Sequence, residues 1–169
     1  MKKLFTIAMT ALAIFSGTVY AQQKPSPAAT ATGTLTNGTV ITINYSAPAL
    51  KGRTIGKDVE PMEGKVWRAG ANEATVFEVS KDVTINGKKL PAGKYGFFTI
   101  NNGKEWTLIF NKTWKQWGAF NYKEADDQLR VNVQATQSAS TSERLTYTVD
   151  QNGQVSLNWG TLLVSFNVK

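Results

Sequence analysis

The chain of 169 residues contains no cysteine and no histidine. Without cysteine no disulfide constrains the unfolded chain, so stability has to come from apolar burial. Without either residue the usual zinc and copper sites have no ligands, and Ser-His-Asp and Cys-His catalysis have no base. Carboxylate, lysine, tyrosine, serine or threonine chemistry is what remains. An oxygen-ligated calcium site is compatible with that composition, but no D-x-D-x-D-G loop occurs, so neither a metal nor a cofactor is expected. Also missing are an amphipathic helical stretch of any length, a block of Lys or Arg, and an apolar run long enough to cross a bilayer. The last two absences argue against nucleic-acid binding and against a membrane span.

The N-terminus has a processing pattern. Met1-Lys2-Lys3 precedes an apolar stretch from Leu4 to Phe15, and Val19 and Ala21 supply the small residues of a cleavage site. Residues 1–21 read as a signal peptide, and with no Cys after Ala21 a lipoprotein anchor is excluded. The expected location is periplasmic or secreted. Removing Lys2 and Lys3 lowers the formal net charge from +7 to about +5. Residues 22–33 are Pro, Ala, Ser and Thr without an apolar period, which predicts a mobile lead-in. Residues 34–169 have the length of one domain, expected to be monomeric.

Within that domain the period is two. Ile41, Ile43 and Tyr45 alternate with polar neighbours, and Pro48 ends the run because it cannot donate to a ladder. Alternation returns at Thr75–Val79, then at Val83–Ile85 and Lys88–Leu90 around an Asn86-Gly87 turn, whose residues tolerate the positive φ a tight hairpin needs. Lys94–Ile100 and Trp106–Phe110 flank Asn102-Gly103, and the hairpins predict four sequential antiparallel strands. Further strands are marked by Leu129–Val133, Leu145–Val149, Val155–Trp159 and Leu162–Val168, with Val66-Trp67 as a short one. A helical turn is expected near Lys123–Asp127. About nine or ten strands make an all-β domain, a two-sheet antiparallel sandwich, with a closed barrel as the alternative.

One run breaks the period. Lys51–Thr75 concentrates charge, glycine and a tryptophan, as functional loops do. Here Lys51-Gly52-Arg53, Trp67-Arg68-Ala69-Gly70-Ala71-Asn72-Glu73-Ala74-Thr75 and Leu90-Pro91-Ala92-Gly93-Lys94-Tyr95 resemble the secreted bacterial family "domain of unknown function 2911". Trp117-Gly118, Tyr122, Asp127-Gln128-Leu129-Arg130 and Glu143-Arg144-Leu145 extend the likeness over essentially the whole chain after the signal segment. The resemblance brings no established activity. It also contains a departure: the family tends to place Arg where Ala47 stands between Ser46 and Pro48, so an anion site resting on that position is missing here.

Arg53, Arg68, Asn72 and Glu73 form the first candidate site. Two guanidiniums hold a carboxylate, phosphate or sulfate bidentately, and an amide with an acid fixes hydroxyls beside it. The opposing structural reading has Arg–Glu pairing merely hold a long loop. Trp114 and Trp117 are the second candidate, as flat rings for stacking on sugars, against a core role for the same rings. Trp106, on the apolar side of its strand, is expected in the core. Glu63 and Glu73 are the weak catalytic candidates, because two carboxylates about 5–9.5 Å apart are what glycoside hydrolysis needs.

These residues point to a non-catalytic binding module for an anionic or hydroxyl-rich small molecule or an envelope glycan. The alternatives are a carboxylate-dependent glycan hydrolase and a structural envelope protein that binds a protein partner through a sheet edge.

Overall fold

The computed structural model describes residues 25–169. The signal segment 1–21 and the first residues of the lead-in lie outside the described residues. Ten strands follow in order: β1 (Ala28–Thr34), β2 (Val40–Ser46), β3 (Val66–Trp67), β4 (Thr75–Val79), β5 (Val83–Ile85), β6 (Lys88–Leu90), β7 (Gly93–Asn102), β8 (Glu105–Asn111), β9 (Asp127–Val149) and β10 (Gln154–Asn167). A 3₁₀ turn at Glu124–Asp126 stands where a helical turn is expected. Among the described residues no helix is long and apolar enough to cross a membrane.

The main sheet runs β1-β2-β4-β7-β8-β9-β10, with β3 pairing to β7 beside β4. It is antiparallel throughout and folds over itself. The fold occurs at β9, whose first half pairs with β8 and whose second half pairs with β10. Between the pairs Gln137↔Leu162 and Ser142↔Gly160, β9 advances further than β10, so Ser138–Thr141 bulge out of the ladder. Bulges of this kind let a strand turn the corner from one layer to the next. The polar stretch that separates two expected strands is therefore this corner, and β9 is continuous through it.

Two further expectations are corrected. The lead-in is a strand from Ala28 on, in register with β2 over seven pairs from Ala28↔Ser46 to Thr34↔Val40. Its inward residues are Ala29, Ala31 and Gly33, too small to give an apolar period, and a Cβ at Gly33 would lie 2.7 Å from Val149 Cγ1. The four-strand meander is interrupted as well. The β5–β6 hairpin is a separate small sheet, and β4 pairs with β7 instead. Asn86 (φ 47°) and Gly87 (φ 84°) take the left-handed turn their types allow, but the hairpin swings to β10, where Thr84 and Lys169 exchange backbone hydrogen bonds of 2.8 and 3.0 Å.

An aromatic core joins the layers. Phe166 of β10 packs against Phe97, Phe110 and Phe77, with ring centroids 5.8, 6.1 and 6.2 Å apart. At one end Trp67 stacks on Trp159 at 5.9 Å and an interplanar angle of 13°. All six rings are buried, and each contributes about 1.5–3 kcal/mol of transfer free energy. The result is an all-β fold of β-sandwich type, whose sheet path is open from β1 to β10. Trp106 is buried in this core, on the apolar side of β8.

The outer face of the β1-β2-β4-β7 layer is covered only in part. Phe98, Ile109 and Ala74 form a second, smaller apolar cluster, with Tyr122, Ala119, Val66 and Ile100 packed against it. The segment 112–126 supplies that cover as a loop leaving β8 and returning to β9.

Candidate functional site

The loop between β3 and β4 is built around the carbonyl of Ala69, a buried residue in the left-handed region at φ 51°. That oxygen accepts from the Tyr147 hydroxyl at 2.7 Å and the Thr75 hydroxyl at 3.0 Å. Trp67 Nε1 donates to the Gly70 carbonyl at 3.1 Å, and a Cβ on Gly70 would lie 2.8 Å from Thr75 Oγ1. Much of the Trp67–Thr75 motif is thus a loop clasp, and what it presents outward is Glu73.

Glu73 stands opposite Trp117 in an isolated antiparallel bridge. The Ala74 N–H donates to the Gln116 carbonyl at 3.0 Å, and the Gly118 N–H to the Asn72 carbonyl at 3.0 Å. These backbone bonds hold the acid and the indole side by side. Together with Ala74, Val76, Trp114, Lys115 and Gln116 they line a hollow of about 410 Å³. Trp117 is 57% exposed and Trp114 38%, unlike Trp67, Trp106 and Trp159 in the core. Lys94 Nζ lies 5.6 Å from the Trp114 ring centroid and 3.3 Å from the Glu78 carboxylate, which steadies that ring at the rim.

The loop bearing both rings is fastened at its neck. Asp127 Oδ2 accepts from the Tyr122 hydroxyl and from Arg130 Nε, each at 2.6 Å, and Arg130 Nη2 donates to the Tyr122 oxygen at 2.6 Å. Asp127 Oδ1 accepts from Asn111 Nδ2 at 2.7 Å. The Tyr122 hydroxyl is pushed up to about 12, by burial first and then by the Asp127 carboxylate, with Arg130 opposing. Arg130 is held above its ordinary value although burial pulls it down, because its hydrogen bonds to Asp127 and Tyr122 favour the charged form. Above the floor of the sheet the loop lies directly on Gly96, where a Cβ would sit 3.1 Å from the Thr113 carbonyl.

The structure brings Glu73, Trp114 and Trp117 together and places the remaining candidates elsewhere. Arg53 Nε and Nη2 donate to the carbonyls of Leu50 and Ala49 at 2.9 and 2.8 Å, and the residue lines a different hollow of about 460 Å³ with Thr54, Gln137 and Thr141. Arg68 lines neither hollow. It is half-buried, its Nε has no acceptor among the described residues, and burial pulls the guanidinium down while the charge of Glu60 pushes back. Asn72 uses its side-chain amide to bond the Ser26 carbonyl at 3.2 Å. Glu63 is bridged to Asn101 and Glu73 to Trp117, so the two weak catalytic candidates are fixed against different partners. Among the described residues no three His, Cys, Asp or Glu side chains converge as a metal site would require.

Sequence reasoning missed Ala74 and Val76 as the hollow's floor, and the Tyr122–Asp127–Arg130 fastening as the support of the tryptophans. The signal for the first lay in the strand period, since Val76 is on the outward side of β4. No curated protein and no solved structure matches the chain. The family described as protein of unknown function, DUF2911, matches residues 26–168, nearly all of the described structure, and the chain belongs to that family.

Proposed function

We propose that the protein is a secreted, non-catalytic binding module whose hydroxyl-rich ligand stacks on Trp117 and Trp114. The observation that carries this reading is the pair of exposed indoles beside the Glu73 carboxylate. Exposed rings of this size leave apolar area in water that a flat, half-polar ligand covers, while the Glu73 carboxylate beside them accepts from its hydroxyls. Sugars fit that description. The secretory reading of residues 1–21 supports an envelope or extracellular glycan as the source.

Titrating the chain from Gln22 onward with a panel of mono-, di- and oligosaccharides, α- and β-linked and branched, while following tryptophan emission, tests the proposal. A saturable change is expected with at least one member of the panel. Trp117→Ala should weaken that binding at least about tenfold, equivalent to about 1.4 kcal/mol. A panel without any saturable response, or a response indifferent to Trp117→Ala, removes the reading.

A second reading rests on Arg53, whose guanidinium is held by two carbonyls beside the hydroxyls of Thr54, Thr136 and Thr141 in its hollow. A small anion is the matching ligand there. If it binds, sulfate or phosphate should raise the melting temperature of the protein and leave that of Arg53→Gln unchanged.

A further inference from the structure

The Glu73 hollow does not end at β4. A second hollow of about 190 Å³, lined by Ala28, Asn44, Tyr45 and Ser46, shares Glu73, Ala74 and Val76 with the first. The two hollows adjoin at these three residues, and their linings together cross the outer face of the sheet from the tryptophan loop to β1, as a groove would. The register fixes its direction. Thr30 pairs with Asn44, Asn44 with Val76, and Val76 with Gly96, so one transverse row passes under the groove and ends beneath the loop. Three strand spacings separate β7 from β1, about 14 Å.

We propose that this groove takes a neutral, β-1,4-linked glycan chain of at least three sugar units, lying across the strands with one end on Trp117 and Trp114. This rests on the reading of those tryptophans as a sugar platform, and three arguments extend it. The floor is made of small side chains, Ala28, Ala74 and Val76, which leaves room for a ribbon-like chain to lie close to the sheet. The strand spacing is close to the repeat of a β-1,4-linked sugar, so each unit meets a new strand. Within the groove Asn44 accepts at Oδ1 from Thr30 Oγ1 at 2.8 Å, which leaves its amide hydrogens for a ligand's hydroxyls, and beside the groove Lys94 is paired to Glu78 at 3.3 Å.

A peptide is a poorer occupant. An added strand needs free backbone N–H and C=O groups, and β2 and β4 are each paired on both sides.

The experiment measures affinities of cello-oligosaccharides and chito-oligosaccharides of one to six units for the chain from Gln22 onward and for two variants at exposed positions that do not line the tryptophan hollow. In at least one series affinity should rise with length up to three or four units and then level off, by about tenfold or more over the disaccharide. Asn44→Ala should lower tetramer affinity several-fold without touching the disaccharide. Ala28→Trp, which fills the far half of the groove, should abolish the gain from length. Equal affinity for dimer and tetramer, or length dependence unaffected by both variants, overturns the extended groove. If only α-linked or branched sugars of the wider panel bind in a Trp117-dependent way, the tryptophan platform survives and the β-linked chain does not. If no sugar binds, both fall.

Discussion

At the scale of single residues, the most instructive atom is the Ala69 carbonyl oxygen. A non-glycine residue at φ 51° sits in a region that costs an L-amino acid about 1–2 kcal/mol. It is held there by two hydroxyls, a local one from Thr75 at the start of β4 and a distant one from Tyr147 on β9. Tyr147 is fully buried, and burial, with Tyr45 adding, raises its hydroxyl well above the ordinary value, so it remains a proton donor. Tyr147→Phe or Thr75→Val alone leaves the oxygen one donor and should cost about 1 kcal/mol each. Both together orphan a buried carbonyl, and the loss in urea denaturation should exceed the sum of the single losses. Strict additivity would mean that solvent reaches the oxygen and the loop is looser than its hydrogen bonds imply. The same residues show what a sequence motif conceals: Trp67, Gly70 and Thr75 look like parts of a site because they cluster with charge, yet their polar groups are spent on one another. Of that run only Glu73 and Ala74 reach the hollow, and the partner Glu73 faces there, Trp117, comes from a loop that no local pattern connects to it.

At the scale of elements, the loop 112–126 decides whether the groove exists. It has no hydrophobic period, so its course is set by its anchors: the buried Asn111, the Tyr122–Asp127–Arg130 triangle, and Tyr122 packed on Phe98 at a centroid distance of 5.2 Å. Tyr122→Phe keeps the ring contact and removes the hydroxyl, and should cost about 1–3 kcal/mol because the acceptor is charged. Acrylamide should then quench the exposed indoles more strongly, and affinity for any ligand of the tryptophans should fall without a change in the site's own side chains. Alkali provides a second test. A tyrosine in an unfolded chain ionises near about 10, and Tyr122 in the fold near about 12. The stability it contributes is therefore complete below the lower value and lost as pH rises through the higher one. Between them the wild type should lose stability in a step that Tyr122→Phe lacks. A wild-type curve parallel to that of the variant would show that Tyr122 is not protected by its neighbours. Elements with a strong period, such as β2, β4, β7 and β8, were legible in sequence. β1 was not, because alanine and glycine can line a tight interface without advertising it.

At the scale of the whole molecule, alternation tells which side chains share a face and is silent on which face is covered by what. That is why the sandwich was legible and the corner in β9 was not: a stretch of Ser, Thr and Gln reads equally well as a loop between two strands or as a bulge within one. It is also why Trp106 could be assigned to the core from its side of the strand, whereas Trp114 and Trp117 could not be assigned to core or surface beforehand. That division makes the final prediction a contrast between two aromatic truncations. Phe166 lies between the layers, 3% exposed, against rings of β4, β7 and β8. Phe166→Ala should cost about 3–5 kcal/mol, a large share of the roughly 5–15 available to a domain, and should lower the urea midpoint without altering the slope. Trp117→Ala removes a larger side chain but one already more than half in water, and should shift stability by about 0.5 kcal/mol or less. A loss at Trp117 comparable to that at Phe166 would make the ring a packing residue and leave the groove without its platform. A loss at Phe166 below about 1 kcal/mol would mean that the two layers are not pressed face to face.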